Sequence, residues 1–143
     1  MMRKQQGITL IEVLTAMVII GILAGVAIPA YQNTVSKTRR ADGKGLAIDI
    51  AAREERHFMQ YNTYTTDIAG ASGLNTSADS SEGYYSAAVA ACGSGTIASC
   101  FTVTVTARDA QLKSDENCKT LTLTNTGIKG STNAKDEAST GCW

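Results

Sequence analysis

The stretch QQGITLIEVLTAMVIIGILAGVAIP, residues 5–29, decides the fold of this chain of 143 residues. No formally charged residue lies between positions 13 and 36, and residues 13–28 are almost wholly apolar. A helix of about 20 apolar residues crosses the roughly 30 Å hydrocarbon core of a bilayer, because each residue rises about 1.5 Å. Arg3 and Lys4 precede this run, which is the layout of an export signal. The sequence therefore predicts a membrane-targeted N-terminal helix.

Two cleavage positions compete in this segment. Gly25-Val26-Ala27 is a small-x-small site, and an ordinary signal peptidase cutting there would leave Ile28 as the first mature residue. A cut after Gly7 would instead retain the apolar run. Glu12 favours the second position, because an ionised residue costs about 2.5–3.5 kcal/mol at a membrane helix centre and less near the interface. Only a retained helix can recover that cost.

Two partners are open to the Glu12 carboxylate in a retained helix. A cut after Gly7 would create an amine at Ile8, and an α-amino group is largely charged at neutral pH. Opposite charges attract strongly where the dielectric constant is low, so Glu12 would pair with this amine on an adjacent copy of the chain. Alternatively, Glu12 lies near enough to the helix end to reach the lipid headgroups.

The segment RKQQGITLIE, residues 3–12, with the apolar run after it, resembles the N-terminus of a type IV prepilin. That family has a short basic leader ending in Gly, an apolar first mature residue, Thr-Leu-Ile-Glu and a long helix. Its commonest first mature residue is Phe, where this chain has Ile8. The resemblance implies that prepilin peptidase cuts between Gly7 and Ile8 and methylates the new amine. It also implies that Glu12 neutralises that amine on a neighbouring subunit, and that Pro29 marks a helix kink.

The helical pattern continues beyond Pro29, and we predict one helix over about residues 9–61. Its second half is amphipathic and must bury its apolar face against another element. This face consists of Val35, Leu46, Ile50 and Phe58, with Ala47 and Ala51 beside them. The charged residues predicted to fill the other positions are Lys37, Arg39, Arg40, Asp42, Lys44, Asp49, Arg53, Glu54, Glu55 and Arg56.

A small antiparallel sheet is predicted after a polar connecting loop at residues 61–82. The stretch FTVTVT, residues 101–106, alternates strictly and points Phe101, Val103 and Val105 inward. The other predicted strands are residues 84–90, residues 120–124 and a segment that starts at 128–129 after the turn at 125–127.

A long helix packed on three or four antiparallel strands is the α+β type IV pilin fold, so the resemblance extends to this region. We expect a leader at 1–7, a hydrophobic transmembrane and assembly half-helix at 8–31, and a periplasmic globular domain at 32–143. Residues 51–58 and 62–64, with the ending Cys142-Trp143, most resemble minor pilins related to PilE.

All four cysteines follow the membrane segment, and their even number favours disulfides in an oxidising compartment. Composition alone leaves three pairings open. On the predicted map, Cys92 and Cys100 bracket the turn between the first two strands, so that Cys118 and Cys142 would close the C-terminal loop. In pilins the last two cysteines bound a variable surface loop. A zinc site is disfavoured, because the chain has no C-x-x-C pair and one histidine.

No catalytic constellation or cofactor site is evident in the sequence, so we expect no enzyme. A nucleophilic site would need His57, which lies in the charged helix run and is interpreted as a surface or packed residue. Asp115, Glu116 and Asn117 form a polar cluster. The relationship to pseudopilins offers calcium binding as one interpretation of this cluster, but a solvated turn is the favoured interpretation.

The resemblance implies a structural subunit of a type IV pilus, of the minor class, acting in adhesion, twitching motility or DNA uptake. Its partners would be other pilin subunits, prepilin peptidase and the inner-membrane assembly machinery. The protein would sit in the inner membrane of a Gram-negative bacterium with its domain in the periplasm, and then in the surface pilus.

Three alternative functions remain open. A competence pilin would bind DNA, although the formal net charge of zero does not favour a generic nucleic-acid binder. A pseudopilin of a type II secretion system shares the leader. An exported soluble enzyme has only the small-x-small site in its favour. Candidate phosphate contacts are Lys113, Lys119, Lys129 and Lys135, which are interleaved with Asp109, Asp115, Glu116, Asp136 and Glu137.

Overall fold

The computed structural model describes residues 7–143. The predicted leader, with Arg3 and Lys4, therefore lies outside the described residues except for Gly7. Contacts divide the chain into two compact units, one ending at Val35 and the other comprising Ser36–Trp143. The elements in chain order are α1 (Leu10–Tyr61), β1 (Tyr85–Ala91), β2 (Phe101–Ala107), α2 (Asp109–Ser114), a 3-10 turn (Glu116–Cys118), β3 (Thr120–Thr124) and β4 (Lys129–Thr132). The predicted α+β architecture is confirmed.

The described part of the first unit consists of the apolar half of α1 and the three residues before it. The carbonyl of Thr9 accepts hydrogen bonds from the N–H groups of Glu12 (3.1 Å) and Val13 (3.3 Å), so the helix starts here. It continues through Pro29, although proline has no N–H to donate. This half of α1 is long and apolar enough to cross a membrane, and its most apolar stretch is not buried within the protein.

In the second unit, the second half of α1 lies against the sheet with one face. The buried positions are Ser36, Gly43, Ala47, Ile50 and Glu54, spaced by three, four and seven residues as one helix face requires. A Cβ at Gly43 would lie 2.9 Å from the ring carbons of Tyr85 on β1. The missing side chain at this position therefore lets the helix backbone approach the sheet closely.

The sheet is an antiparallel meander in the order β1-β2-β3-β4. The inward residues predicted on β2, Phe101, Val103 and Val105, are all buried, and Leu121 and Leu123 on β3 lie beside them in the core. The threonines between them are only partly buried. This alternation gives the sheet one core face and one outer face.

Other parts of the chain pair with the start of the β1 edge and with the β4 edge. Next to β1, the N–H of Ala87 donates to the carbonyl of Ala78 at 2.7 Å. Next to β4, the N–H of Ser139 donates to the carbonyl of Ser131 at 2.9 Å, and the indole N–H of Trp143 donates to the carbonyl of Gly130 at 2.6 Å. The C-terminal segment, residues 133–143, thus occupies hydrogen-bonding groups of the β4 edge.

Several residues do not lie where the sequence predicted them. Glu54, placed among the outward charged positions, is fully buried. Asp115, interpreted as part of a solvated turn, is also buried, because it pairs with Arg40. The helix α2 was not predicted, because six residues are too few to show the helical periodicity of apolar residues.

The predicted connecting loop also contributes to the core. Tyr64, Ile68 and Leu74 are buried within it, although its composition is polar. The Tyr64 ring contacts that of Phe101 edge-to-face, with centroids 4.8 Å apart. These three apolar residues fix the loop against the sheet.

Two disulfides join the cysteines of the second unit. Cys92, which directly follows β1, is bonded to Cys100, which directly precedes β2. Cys118, at the end of the 3-10 turn, is bonded to Cys142 near the end of the C-terminal segment. The Cα atoms of the two pairs are 5.6 Å and 5.7 Å apart.

Candidate functional site

The N-terminal candidate site is the processing segment, residues 7–12. Residues 7–9 have no regular secondary structure and are exposed, and Ile8 has 77% of its surface accessible. The peptide bond between Gly7 and Ile8 therefore lies in accessible, non-helical backbone directly before α1. Such backbone is the preferred substrate of proteases, because its groups are not engaged in a helix.

Glu12 has no cationic side chain near it in sequence. It is the only formally charged residue between positions 7 and 36. Its place in the first turn of α1 is favourable, since the helix dipole attracts a negative charge there. Among its neighbours, Leu10, Ile11 and Val13 are exposed and apolar. A cation for Glu12 must therefore come from outside the described part of this unit.

The second candidate site is a cationic patch in the second unit, formed by Arg40, Lys44, Lys129 and Trp143. Arg40 is held rigidly, because its Nε and Nη2 donate to the two carboxylate oxygens of Asp115, each at 2.8 Å. Its Nη1 donates to the carbonyl of Gly141 at 3.0 Å. This pair is largely buried and connects α1 with the region after α2.

Lys129 and Trp143 are joined by a cation–π contact. The ammonium of Lys129 lies 5.0 Å from the ring centroid of Trp143. The indole is fixed in turn by its hydrogen bond to Gly130. A fixed aromatic ring with a cation above it is a feature that stacking and phosphate-binding surfaces share.

Lys44 brings a third cation to this patch. Burial lowers the pKa of Lys44 below its ordinary value, and repulsion from Arg40 and then from Lys129 lowers the pKa further. Lys44 lies four residues after Arg40 on α1, so the two side chains are neighbours on the helix surface. Of Arg40, Lys44 and Lys129, only Arg40 forms an ion pair within residues 7–143. The patch can therefore accept an anion.

The four lysines predicted as phosphate contacts have different surroundings in the structure. Lys129 lies in the cationic patch, but Lys119 is bonded to Asp136 at 2.8 Å. Lys113 and Lys135 are exposed. Arg40 and Lys44 were not predicted to belong to this site. The spacing of residues along a helix does not show which strand will lie beside its charged side.

The candidate catalytic histidine is a packed residue. Nδ1 of His57 donates to the carbonyl of Thr63 at 2.8 Å, and its ring lies 4.6 Å from that of Tyr61. In the part of the chain that the structure describes, no three His, Cys, Asp or Glu residues form a group that could hold a metal ion.

Comparison with known proteins gives matches along most of the chain. Residues 29–122 match the family described as type IV minor pilin ComP, DNA uptake sequence receptor. Residues 2–28 match the prokaryotic N-terminal methylation motif.

The similar curated proteins are fimbrial subunits. The type IV major fimbrial protein FimA of Dichelobacter nodosus is 37% identical over 70 residues, which are 49% of this chain and 44% of that protein. The fimbrial protein EcpC of Eikenella corrodens is 34% identical over 67 residues, 47% of this chain and 44% of that protein. The type IV major alpha-pilin of Moraxella bovis is 51% identical over 45 residues, 30% of this chain and 28% of that protein. The chain thus spans less than half the length of these relatives.

Proposed function

The chain belongs to the type IV minor pilin family described as ComP, DNA uptake sequence receptor, and on this basis we propose that it is a subunit of a type IV pilus. The observation that carries the proposal is an exposed apolar half-helix with one carboxylate, Glu12, preceded by an accessible Gly7–Ile8 bond. The family is structural, and the proposal assigns no catalytic activity to the chain.

Maturation in this proposal begins at the processing segment. Prepilin peptidase removes residues 1–7 and methylates the amine of Ile8, and the methylation motif found at residues 2–28 supports this step. Residues 8–31 then anchor the protein in the inner membrane, and residues 32–143 form the periplasmic domain.

Assembly transfers the half-helix from the membrane into the filament. Glu12 pairs with the Ile8 amine of a neighbouring subunit, which supplies the cation that the described part of its own unit lacks. Pro29 gives the helix a kink near the end of the apolar run. The partners are other pilin subunits and the inner-membrane assembly machinery, and the mature protein reaches the surface pilus of a Gram-negative cell.

The test is the intact mass and N-terminal sequence of the membrane-extracted protein. We expect a chain that starts at methylated Ile8. The Gly7→Asp variant should keep its leader, because the small residue before the cut is replaced by a charged one. A mature chain starting at Ile28, or a Gly7→Asp chain cut at the normal position, would contradict the proposal.

A second function, binding of duplex DNA, is supported by the cationic patch and by the description of the family. Lys44 and Lys129 would contact phosphates, and Trp143 would provide an apolar surface for the sugar or an exposed base. DNA uptake would then be the pilus activity to which this subunit contributes.

The DNA test uses the full-length protein in detergent micelles and a fluorescent duplex. We expect the double variant Lys44→Gln, Lys129→Gln to bind the duplex about tenfold or more weakly at about 0.1 M salt. The slope of the logarithm of the binding constant against the logarithm of the salt concentration should fall by the equivalent of about two phosphate contacts. Lys113→Gln, at an exposed lysine outside the patch, is the matched control. Equal losses in both variants would contradict a role for the patch.

A further inference from the structure

A polar cleft lies at the C-terminal end of α1, apart from the cationic patch of the same unit. Its volume is about 240 Å³. Arg53, Arg56, His57 and Gln60 line it from the helix, and Gly73 and Leu74 are among the loop residues on its other side. We call it the arginine cleft. Twelve residues of helix separate Arg56 from Lys44, which is about 18 Å along the axis.

The helix side of the arginine cleft presents donors in one row. Positions 53, 56, 57 and 60 are spaced by three, four and seven residues, so their side chains are neighbours on one face. Arg53 is anchored by a 2.8 Å bond from its Nε to Asp49. Arg56, in contrast, forms no ion pair with any residue between 7 and 143. No carboxylate is among the residues that line the cleft.

One member of the row, His57, is held in place by a contact with the loop. The Nδ1 bond from His57 to Thr63 fixes the imidazole and leaves Nε2 as its second polar group. The ring of Tyr61 lies against that of His57 and is more than half exposed. The cleft therefore combines two guanidinium groups, an amide and an aromatic surface in a partly fixed geometry.

We propose that the arginine cleft is a binding site for a phosphate group. Guanidinium forks match the geometry of oxyanions and stay charged at all accessible pH values. Phosphate suits the cleft better than a carboxylate, because its three or more acceptor oxygens can engage Arg53, Arg56 and Gln60 together. The ligand phosphate belongs either to a small molecule or to a nucleic acid backbone.

The experiment follows the arginine side-chain N–H resonances of the full-length protein in zwitterionic detergent micelles. Sodium phosphate is titrated at constant ionic strength against sodium chloride. We expect saturable shifts with half-saturation below about 5 mM. Arg56→Gln should weaken phosphate binding about tenfold, whereas Arg108→Gln, which removes an exposed arginine from its surface pair with Asp79, should not. Unchanged thermal unfolding shows that the variants fold.

Shifts that fail to saturate, or an equal loss in Arg108→Gln, would overturn the proposal. A duplex titration in the Lys44→Gln, Lys129→Gln background distinguishes the two sources of phosphate. A further loss of DNA binding on adding Arg56→Gln assigns the cleft to the nucleic acid backbone. Loss of phosphate binding with DNA binding unchanged assigns it to a small phosphorylated ligand.

Discussion

At the scale of single residues, Glu54 is the least expected feature of the protein. Its side chain is fully buried, and one carboxylate oxygen accepts the N–H of Thr65 at 3.0 Å. The other oxygen has no hydrogen-bond partner among the described residues. Burial raises the pKa of Glu54, and this effect outweighs the opposing ones of the Thr65 bond and of His57. Glu55 raises the pKa of Glu54 further.

A raised pKa makes the stability contribution of Glu54 dependent on pH. The folded state favours the protonated carboxyl, so this contribution is fully present below the unfolded pKa of about 4.3 and is lost as the pH rises through the folded pKa. In Glu54→Gln the group does not titrate. We therefore expect the melting temperature of the variant, relative to the parent, to increase between pH 4 and pH 8. A difference that stays constant with pH would contradict this explanation.

The sequence singles out individual residues only where a local motif identifies them. Gly7, Ile8 and Glu12 were predicted from their spacing within six residues, and their roles stay predictions. Glu54 was assigned to the outward face because a charged side chain is normally exposed, and only the tertiary environment overrides that rule. Arg40 and Asp115 are 75 residues apart in the chain, so no local pattern connects them.

At the scale of elements, the contact between α1 and β1 depends on a residue without a side chain. Ala in place of Gly43 would raise intrinsic helix stability by about 1 kcal/mol. The added methyl would also meet the Tyr85 ring at 2.9 Å, and overpacking of a core typically costs about 1–3 kcal/mol. We expect net destabilisation, measured by thermal unfolding.

Gly45→Ala is the matched control for this substitution. It lies two residues further along the same helix, and a Cβ there would have nothing within 4 Å. The control should be more stable than the parent by about 0.5–1 kcal/mol. If both variants were stabilised, the close approach of α1 to Tyr85 would be contradicted.

The predictability of the elements follows from their length and pattern. The helix was expected over residues 9–61 and extends over Leu10–Tyr61, because its two halves carry strong but different patterns. The strands β2 and β3 were predicted almost to the residue from their strict alternation. The buried residues of the loop were missed, since isolated apolar residues in a polar stretch have no period.

At the scale of the whole molecule, the two disulfides should differ in their effect on stability. The two cysteines are 24 residues apart in Cys118–Cys142 and 8 residues apart in Cys92–Cys100. A disulfide that closes a longer loop restricts the unfolded chain more. Replacing Cys118 and Cys142 by Ala should cost about 3.5 kcal/mol, against about 2.5 kcal/mol for Cys92 and Cys100. Denaturant unfolding of the full-length chain measures both values. A larger loss at the shorter loop would contradict the entropic account.

Substitution of Glu12 tests the proposed role of the complete molecule as a filament subunit. Glu12→Ala should still be processed, because the bond proposed to be cut lies outside the helix, but it should be recovered in sheared pili several-fold less than the parent. Immunoblots of the sheared and membrane fractions give the ratio. Glu82→Ala, which removes an exposed carboxylate of the second unit, is the control. Equal recovery of Glu12→Ala and the control would remove the explanation for the carboxylate.

The contacts along the sheet edges affect how readily the protein aggregates at high concentration. An open strand edge is a template on which identical chains stack into aggregates. Here the loop beside β1 pairs with the start of that strand, the C-terminal segment occupies the β4 edge, and the Cys118–Cys142 bond ties this second cover in place. Reductant would break that bond and leave this cover held on β4 only by its hydrogen bonds. The same bond that stabilises the fold therefore also protects its solubility, and this protection depends on the redox state of the compartment.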